Sequence, residues 1–93
     1  MNNKLIGKVE NMTSSNGNKV ANQFLLKTEN STMFQSYDTL IAVKDNNGQL
    51  YLDSENWNYS KTTSKYRNQF TRLTTDETKK AIKDGKIKLV ELN

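Results

Sequence analysis

The sequence predicts an α+β fold, with an antiparallel β-meander of about five strands followed by two short helices and a C-terminal strand. Two observations predict it. Short apolar runs alternate with turn residues in the first half of the chain, and the apolar spacing changes to four and three residues in the second half. Because the chain has 93 residues, we expect a single domain over residues 1–93.

Turn residues divide the first half into strands. The dipeptide of Asn16 and Gly17, the strongest short hairpin signal, separates a strand at residues 5–9 from an alternating strand at residues 20–28. The alternation predicts that one face of this second strand carries Val20, Phe24 and Leu26.

Two further turns continue the meander. Residues 29–31 form one, and residues 45–48, which end in an Asn-Gly dipeptide, form the other. Between them, residues 32–37 and 39–44 are either two strands or one strand bent near Asp38. Residues 50–52 give a short fifth strand.

The second half predicts two helices and a returning strand. Tyr66, Phe70 and Leu73 form the apolar face of a helix over residues 60–73, which either Ser60 or Thr62 can cap. The second helix starts at a capping box formed by Thr74 and Glu77. It runs to about Asp84, just before Gly85. Residues 87–92 then form a strand that returns to the sheet.

The composition argues against catalysis. The chain has no histidine and no cysteine, so the commonest general base, the commonest metal ligand and the thiol nucleophile are missing. The carboxylate pairs Asp53 with Glu55 and Asp76 with Glu77 fall in a turn and in a first helical turn, where structure alone explains them. We therefore expect a protein that is not an enzyme and uses no cofactor or metal.

The start of the chain has no apolar run of signal-peptide length, and no segment is long and apolar enough to span a membrane. The expected location is the cytoplasm.

Positive charge is concentrated on the first predicted helix. The net charge is +4, and residues 57–75 contain four cations and no acid. At about 100° per residue, Lys61, Lys65 and Arg72 lie within roughly 40° of each other and opposite the apolar face, with Arg67 on a flank. This stripe is either a contact site for phosphates or an acidic protein surface, or a solvated helix face.

Trp57 precedes this helix and also has two interpretations. It is either a lid over a small core or, if exposed, an interaction hot spot. The predicted binding residues are Trp57, Lys61, Lys65, Arg67 and Arg72.

Two segments, residues 34–42 and 57–70, resemble a family of small bacteriophage proteins to which no activity is assigned. The specific part is a Tyr-Ser-x-Thr-Thr-x-x-Tyr-x-x-x-Phe pattern that starts at Tyr59 and ends at Phe70. The resemblance implies a phage accessory protein acting in a host cell and supplies no site residues. Such proteins often bind host factors, including CRISPR and other defence nucleases.

Two functional hypotheses follow. The first is a non-enzymatic protein that binds and inhibits or regulates a host protein, such as a defence nuclease or its nucleic-acid complex. The second is direct nucleic-acid binding through the basic face of the first helix.

Overall fold

The computed structural model describes the backbone of residues 5–93 and the side chains of residues 9–93. Within this part of the chain, six strands form one sheet in sequence order, and two helices lie between the fifth and sixth strands. The predicted α+β order is confirmed. The elements are β1 (Leu5–Thr13), β2 (Lys19–Thr28), β3 (Ser31–Ser36), β4 (Thr39–Asp45), β5 (Leu50–Asp53), α1 (Lys61–Thr71), α2 (Thr75–Lys83) and β6 (Ile87–Val90).

Strands β1 to β5 are antiparallel neighbours, as the tight turns between them require. Strand β6 pairs in parallel with β5, because the chain first crosses the sheet through α1 and α2. The predicted return of the last strand is confirmed, and its place is the sheet edge beside β5.

The helices cover one face of the sheet, here called the inner face. A row of paired residues crosses its centre from β2 to β5: Leu25, Phe34, Ala42 and Leu52. The last three of these are fully buried and join one core with Tyr66 of α1. The molecule measures 33 × 33 × 21 Å, so it is two layers thick, one of strands and one of helices.

Both helices begin at the predicted caps. Ser60 accepts a hydrogen bond from the Thr63 amide, and Thr74 exchanges hydrogen bonds of 2.9 and 3.1 Å with Glu77 in a capping box. Helix α1 ends at Thr71 instead of continuing to residue 73, because Arg72 adopts a left-handed conformation with φ of 63°.

The predicted face of β2 is wrong. Asn22 has φ of 65°, and near it β1 advances two residues while β2 advances five, from the Asn11–Phe24 pair to the Thr13–Lys19 pair. This irregularity changes which residues face inward. Val20 packs against the core, whereas Phe24 and Leu26 lie on the other face of the sheet because they alternate with the inward residue Leu25.

Neither helix of the described chain has the length needed to cross a membrane, since α1 has 11 residues and α2 has 9.

Candidate binding surfaces

Arg67 is a buried structural residue and not part of an exposed cationic surface. Its side chain is 0% exposed, because it lies beneath the loop before α1 and beside the start of α2. Its five hydrogen bonds all end on neutral oxygens, so burial lowers the pKa of the guanidinium without a carboxylate to oppose it. The acceptors are the Trp57 carbonyl and the side chains of Asn58, Ser64, Asn68 and Thr75.

Trp57 is half-buried and packs against the core. The guanidinium of the buried Arg67 lies 5.1 Å from the centre of its ring, a cation–π contact. The interpretation of Trp57 as a lid therefore fits its position. Trp57 and Arg67 together fix the loop of residues 54–60 on the body of the protein.

The remaining predicted cations, Lys61, Lys65 and Arg72, are exposed. Lys61 and Lys65 lie on α1 as the helical spacing predicts, and the Lys65 ammonium is 5.5 Å from the centre of the Tyr66 ring. Arg72 has left the helix, so the three cations do not form one helical stripe. The structure thus leaves two of the four predicted cations on the exposed face of α1.

The charge pattern of α1 is the reverse of what the helix dipole favours. Lys61 is its first residue, its first turn has no acid and its last turn has no base. In α2 the pattern is the ordinary one, with Asp76 and Glu77 in the first turn and Lys80 and Lys83 in the last. Residues 57–86, which include both helices, contain eight Lys or Arg and three acids, net +5, so the rest of the chain is net −1.

A polar cluster lies beneath α1, and no pattern in the sequence pointed to it. The hydroxyls of Ser36 and Thr63 are hydrogen-bonded at 3.0 Å, and both residues are buried. Gln23, which pairs with Ser36 across β2 and β3, is 1% exposed. Neither amide atom of Gln23 has a hydrogen-bond partner within the described part of the chain.

The face of the sheet opposite the helices, here called the outer face, is crossed by an apolar row. The strand register places Val9, Leu26, Met33, Val43 and Tyr51 side by side from β1 to β5. Neighbouring strands are about 4.8 Å apart, so this outer row spans roughly 19 Å. None of the five belongs to the core or packs against it.

The outer face contains a groove of about 900 Å³. Its apolar walls come from the outer row and from the residues near β6, and Asn side chains from two turns close one end. Asp45 and Glu91 are its charged residues, and no lysine or arginine lines it among the residues that the structure describes. The apolar lining consists of Met33, Leu40, Val43, Tyr51, Val90 and Leu92.

The C-terminal residues build one wall of this groove. After β6, the Leu92 amide donates to Asp53 Oδ1 over 2.9 Å. The Asn93 side chain then bonds both backbone groups of Leu40, which lies on β4 beyond the end of its pairing with β5. Residues 91–93, here called the C-terminal tail, therefore cross the end of β5 and bond to the free backbone of β4.

Asp53 anchors this crossing. Asp53 is 3% exposed, and burial acts to raise the pKa of its carboxyl group. The hydrogen bonds from the Leu92 amide and from Asn56 outweigh that effect and hold the pKa below its ordinary value of 3.8. Asp53 is thus a charged structural residue. Within the described residues, no group of three acidic side chains is placed to hold a metal ion.

The sequence contained a signal for the outer face. Residues 40–43 are apolar without interruption, as are residues 50–52. Strands with apolar residues on both faces are typical of sheets covered on both sides. The helices cover only the inner face, so the outer face of the described chain retains apolar surface that nothing in it covers.

Comparison with known proteins places the chain in a family. Residues 7–87 match the model described as "Family of unknown function (DUF8033)". The chain belongs to this family. No curated protein and no solved structure matches it. The residues that match DUF8033 run from β1 to the first residue of β6, so they include both the outer row and Arg67 with its hydrogen-bond acceptors.

Proposed function

We propose that this protein is a non-catalytic binding protein that holds a protein partner on the outer face of its sheet. The groove of about 900 Å³ between the turns and the C-terminal tail is the observation that supports this proposal. Ligand-binding sites are concave and mostly apolar, with a few polar groups that fix orientation, and this groove has that composition.

The outline of the molecule supports a protein partner over a small ligand. The two long extents of the molecule are 33 Å each, so its broad face has an outline of at most roughly 1,000 Å², and a stable protein interface needs about 800 Å² from each partner. Tyr51 lies in the row that crosses this face, and tyrosine is enriched at interface hot spots.

The resemblance of residues 34–42 and 57–70 to small bacteriophage proteins supports a host protein as that partner. Binding would then inhibit or regulate the host protein, and a defence nuclease is the first class to test. The proposal of a host partner is based on that resemblance, whereas the proposal of a docking surface is based on the groove.

The test is capture of the partner from host lysate after nuclease treatment, with three forms of the protein. The wild type and a Lys61→Glu/Lys65→Glu double variant are expected to recover the same dominant protein. Val43→Asp, which places a charge in the outer row, is expected to lose it. Circular dichroism verifies that each form is folded. Loss with the lysine variant and retention with Val43→Asp would place the partner on α1 and overturn the proposal.

A second candidate function is nucleic-acid binding through α1. The observation that favours it is the net charge of +5 on residues 57–86, with Lys61 and Lys65 exposed on a helix that has no acid in its first turn. Exposed Tyr59 precedes them and could stack on a base.

Titration of labelled single- and double-stranded DNA across salt concentrations tests this alternative. If α1 binds DNA, affinity in the micromolar range persists at physiological salt and disappears in the Lys61→Glu/Lys65→Glu variant. Binding that vanishes by physiological salt excludes it.

A further inference from the structure

The chemistry of the groove indicates which kind of partner it fits. We propose that its occupant is a protein segment with apolar side chains between two basic residues, one lysine or arginine at each end of the groove. This inference rests on the proposed function and adds the chemical class of the partner.

The charges of the groove support a basic occupant. The chain has 14 Lys and Arg against 10 acids, yet the charged residues lining the groove are Asp45 and Glu91. Lys88 continues the outer row onto β6, but it is exposed at the edge strand and is not part of the lining. A basic group entering the groove therefore meets acids, whereas a second acidic surface would be repelled.

Asp45 has an oxygen available for such a group. Its Oδ1 atom accepts hydrogen bonds of 2.9 and 3.0 Å from the amides of Asn47 and Gln49, which hold the turn. Among the described residues, its Oδ2 atom accepts one hydrogen bond, a long one of 3.4 Å from the Tyr51 hydroxyl. A lysine ammonium or an arginine guanidinium can bond to Oδ2 and to that hydroxyl together, since both are acceptors.

The spacing of the two acids sets the length of the segment. Asp45 ends β4, and Glu91 lies two residues before Asn93, which bonds to Leu40 near the other end of the same strand. The five steps along the strand from Leu40 to Asp45 are about 3.4 Å each, so the two ends of the groove are roughly 17 Å apart. That distance fits about five residues of an extended segment, or about eleven of a helix.

The shape of the groove argues against a second copy of this chain as the occupant. The outer face is concave, and two concave faces placed together would leave a void in place of packed side chains. The exposed faces of α1 and α2 are polar and charged, so neither supplies the apolar side chains that the groove would bury. A segment of a different protein meets both requirements.

The test uses two fluorescently labelled peptides with the same apolar centre of four residues, flanked on each side by two lysines in one and two glutamates in the other. Fluorescence anisotropy at low ionic strength is expected to show the lysine peptide binding at least roughly tenfold more tightly than the glutamate peptide. The preference should shrink as salt is added. Equal affinities, a preference for the glutamate peptide, or no binding of either would overturn the inference.

Variants assign the effect to the groove. Glu91 is exposed, and replacing it leaves the turn at Asp45 intact. Glu91→Lys is expected to lower the affinity for the lysine peptide roughly fivefold and to raise the affinity for the glutamate peptide. Glu10→Lys makes the same change of net charge on the distant edge strand β1, and it is expected to leave both affinities unchanged. Equal effects of the two variants would show that net charge, and not the groove, selects the peptide.

Val43→Asp separates this inference from the proposed function. Suppose that the wild type binds both peptides equally well and that Val43→Asp binds neither. The groove is then a docking site, and only the inference that its partner is basic is wrong. If both peptides bind Val43→Asp as well as the wild type, the outer face is not the site and the proposed function fails too. Sedimentation velocity adds a third outcome, since a wild-type dimer that Val43→Asp converts to monomer would make a second copy the occupant.

Discussion

The backbone amide of Tyr37 donates to the backbone carbonyl of Asn22 over 2.6 Å, and both residues adopt left-handed conformations, with φ of 56° and 65°. Tyr37 lies in the turn between β3 and β4, and Asn22 interrupts β2. The bond thus joins two irregular points on neighbouring strands. It lies next to the buried cluster of Gln23, Ser36 and Thr63 beneath α1.

Tyr37→Gly should stabilise the protein. A left-handed conformation costs an ordinary residue about 1–2 kcal/mol, glycine adopts it without strain, and the exposed Tyr37 ring contributes little packing. After subtracting the extra backbone entropy of glycine, we expect a gain of about 0.5–1 kcal/mol and a rise in Tm of roughly 2–8 °C. Differential scanning calorimetry measures it.

The matched control is Asp38→Gly, which changes the neighbouring residue of the same turn. Asp38 is not among the residues with positive φ, so glycine relieves no strain there and should leave Tm unchanged or lower it. A lower Tm for Tyr37→Gly would show that the Tyr37 side chain contributes more than the strain costs.

Gln23→Met should also stabilise the protein. The side chains are similar in volume, and the substitution removes two buried polar atoms that have no hydrogen-bond partner among the described residues. Because burying an unpaired amide is unfavourable, the free energy of unfolding should rise by about 1 kcal/mol, as measured by urea denaturation. A decrease would mean that the amide is hydrogen-bonded in solution, for example to a buried water.

Arg67→Ala should destabilise the protein by at least about 3 kcal/mol, because it leaves buried acceptors unpaired and empties a fully buried site. Arg67→Lys should also destabilise it. A single ammonium cannot reach both the Trp57 carbonyl and the Thr75 hydroxyl, which two different guanidinium nitrogens bind at 2.7 and 2.9 Å. Urea unfolding followed by the fluorescence of Trp57 reports both the stability and the cation–π contact.

Arg72→Ala is the control for that experiment. Arg72 is exposed at the end of α1, so its loss should change stability far less than the loss of Arg67. Equal effects of the two alanine variants would contradict the structural role assigned to Arg67.

Asp53→Asn should destabilise the protein near neutral pH by about 1–3 kcal/mol, since an amide cannot accept all the hydrogen bonds that the carboxylate receives from Leu92 and Asn56. The pKa of Asp53 is lowered in the folded state, so its stabilising contribution is present above the unfolded value of 3.8 and is lost as pH falls below that value. Urea unfolding at about pH 7 and about pH 2.5 should show a difference between wild type and variant that shrinks in acid. A difference that is the same at both pH values would contradict the role of the charge.

Local signals predicted most of the elements. The capping box of Thr74 and Glu77 lies where the sequence placed it, and the turns at Gly17 and Gly48 have the positive φ that glycine favours. In each case the residues that form the structure are within four positions of each other. A short window of sequence therefore includes every residue that the cap or the turn requires.

Tertiary relationships were less accessible. The sequence around Asn22 reads as ordinary strand, and its left-handed conformation within β2 goes with the hydrogen bond from the distant Tyr37 amide. Arg67 lies beside the cationic stripe on a helical projection, but three of its five acceptors belong to residues before and after the helix, Trp57, Asn58 and Thr75. The groove needs β6, whose parallel pairing with β5 no local pattern specifies.

The placement of β6 has a consequence for how the molecule assembles. Strands β1 to β5 join through tight turns, so each pairing closes a short loop, whereas β6 pairs with β5 only after the 33 residues between them are in place. Closing the longer loop costs more chain entropy, so the β6 pairing is expected to be the last step of folding. The wall of the groove formed by Val90 and Leu92 is therefore completed last, and hydrogen exchange should find it the first part of the sheet to open. A partner that fills the groove would slow that opening and hold the end of the chain in place.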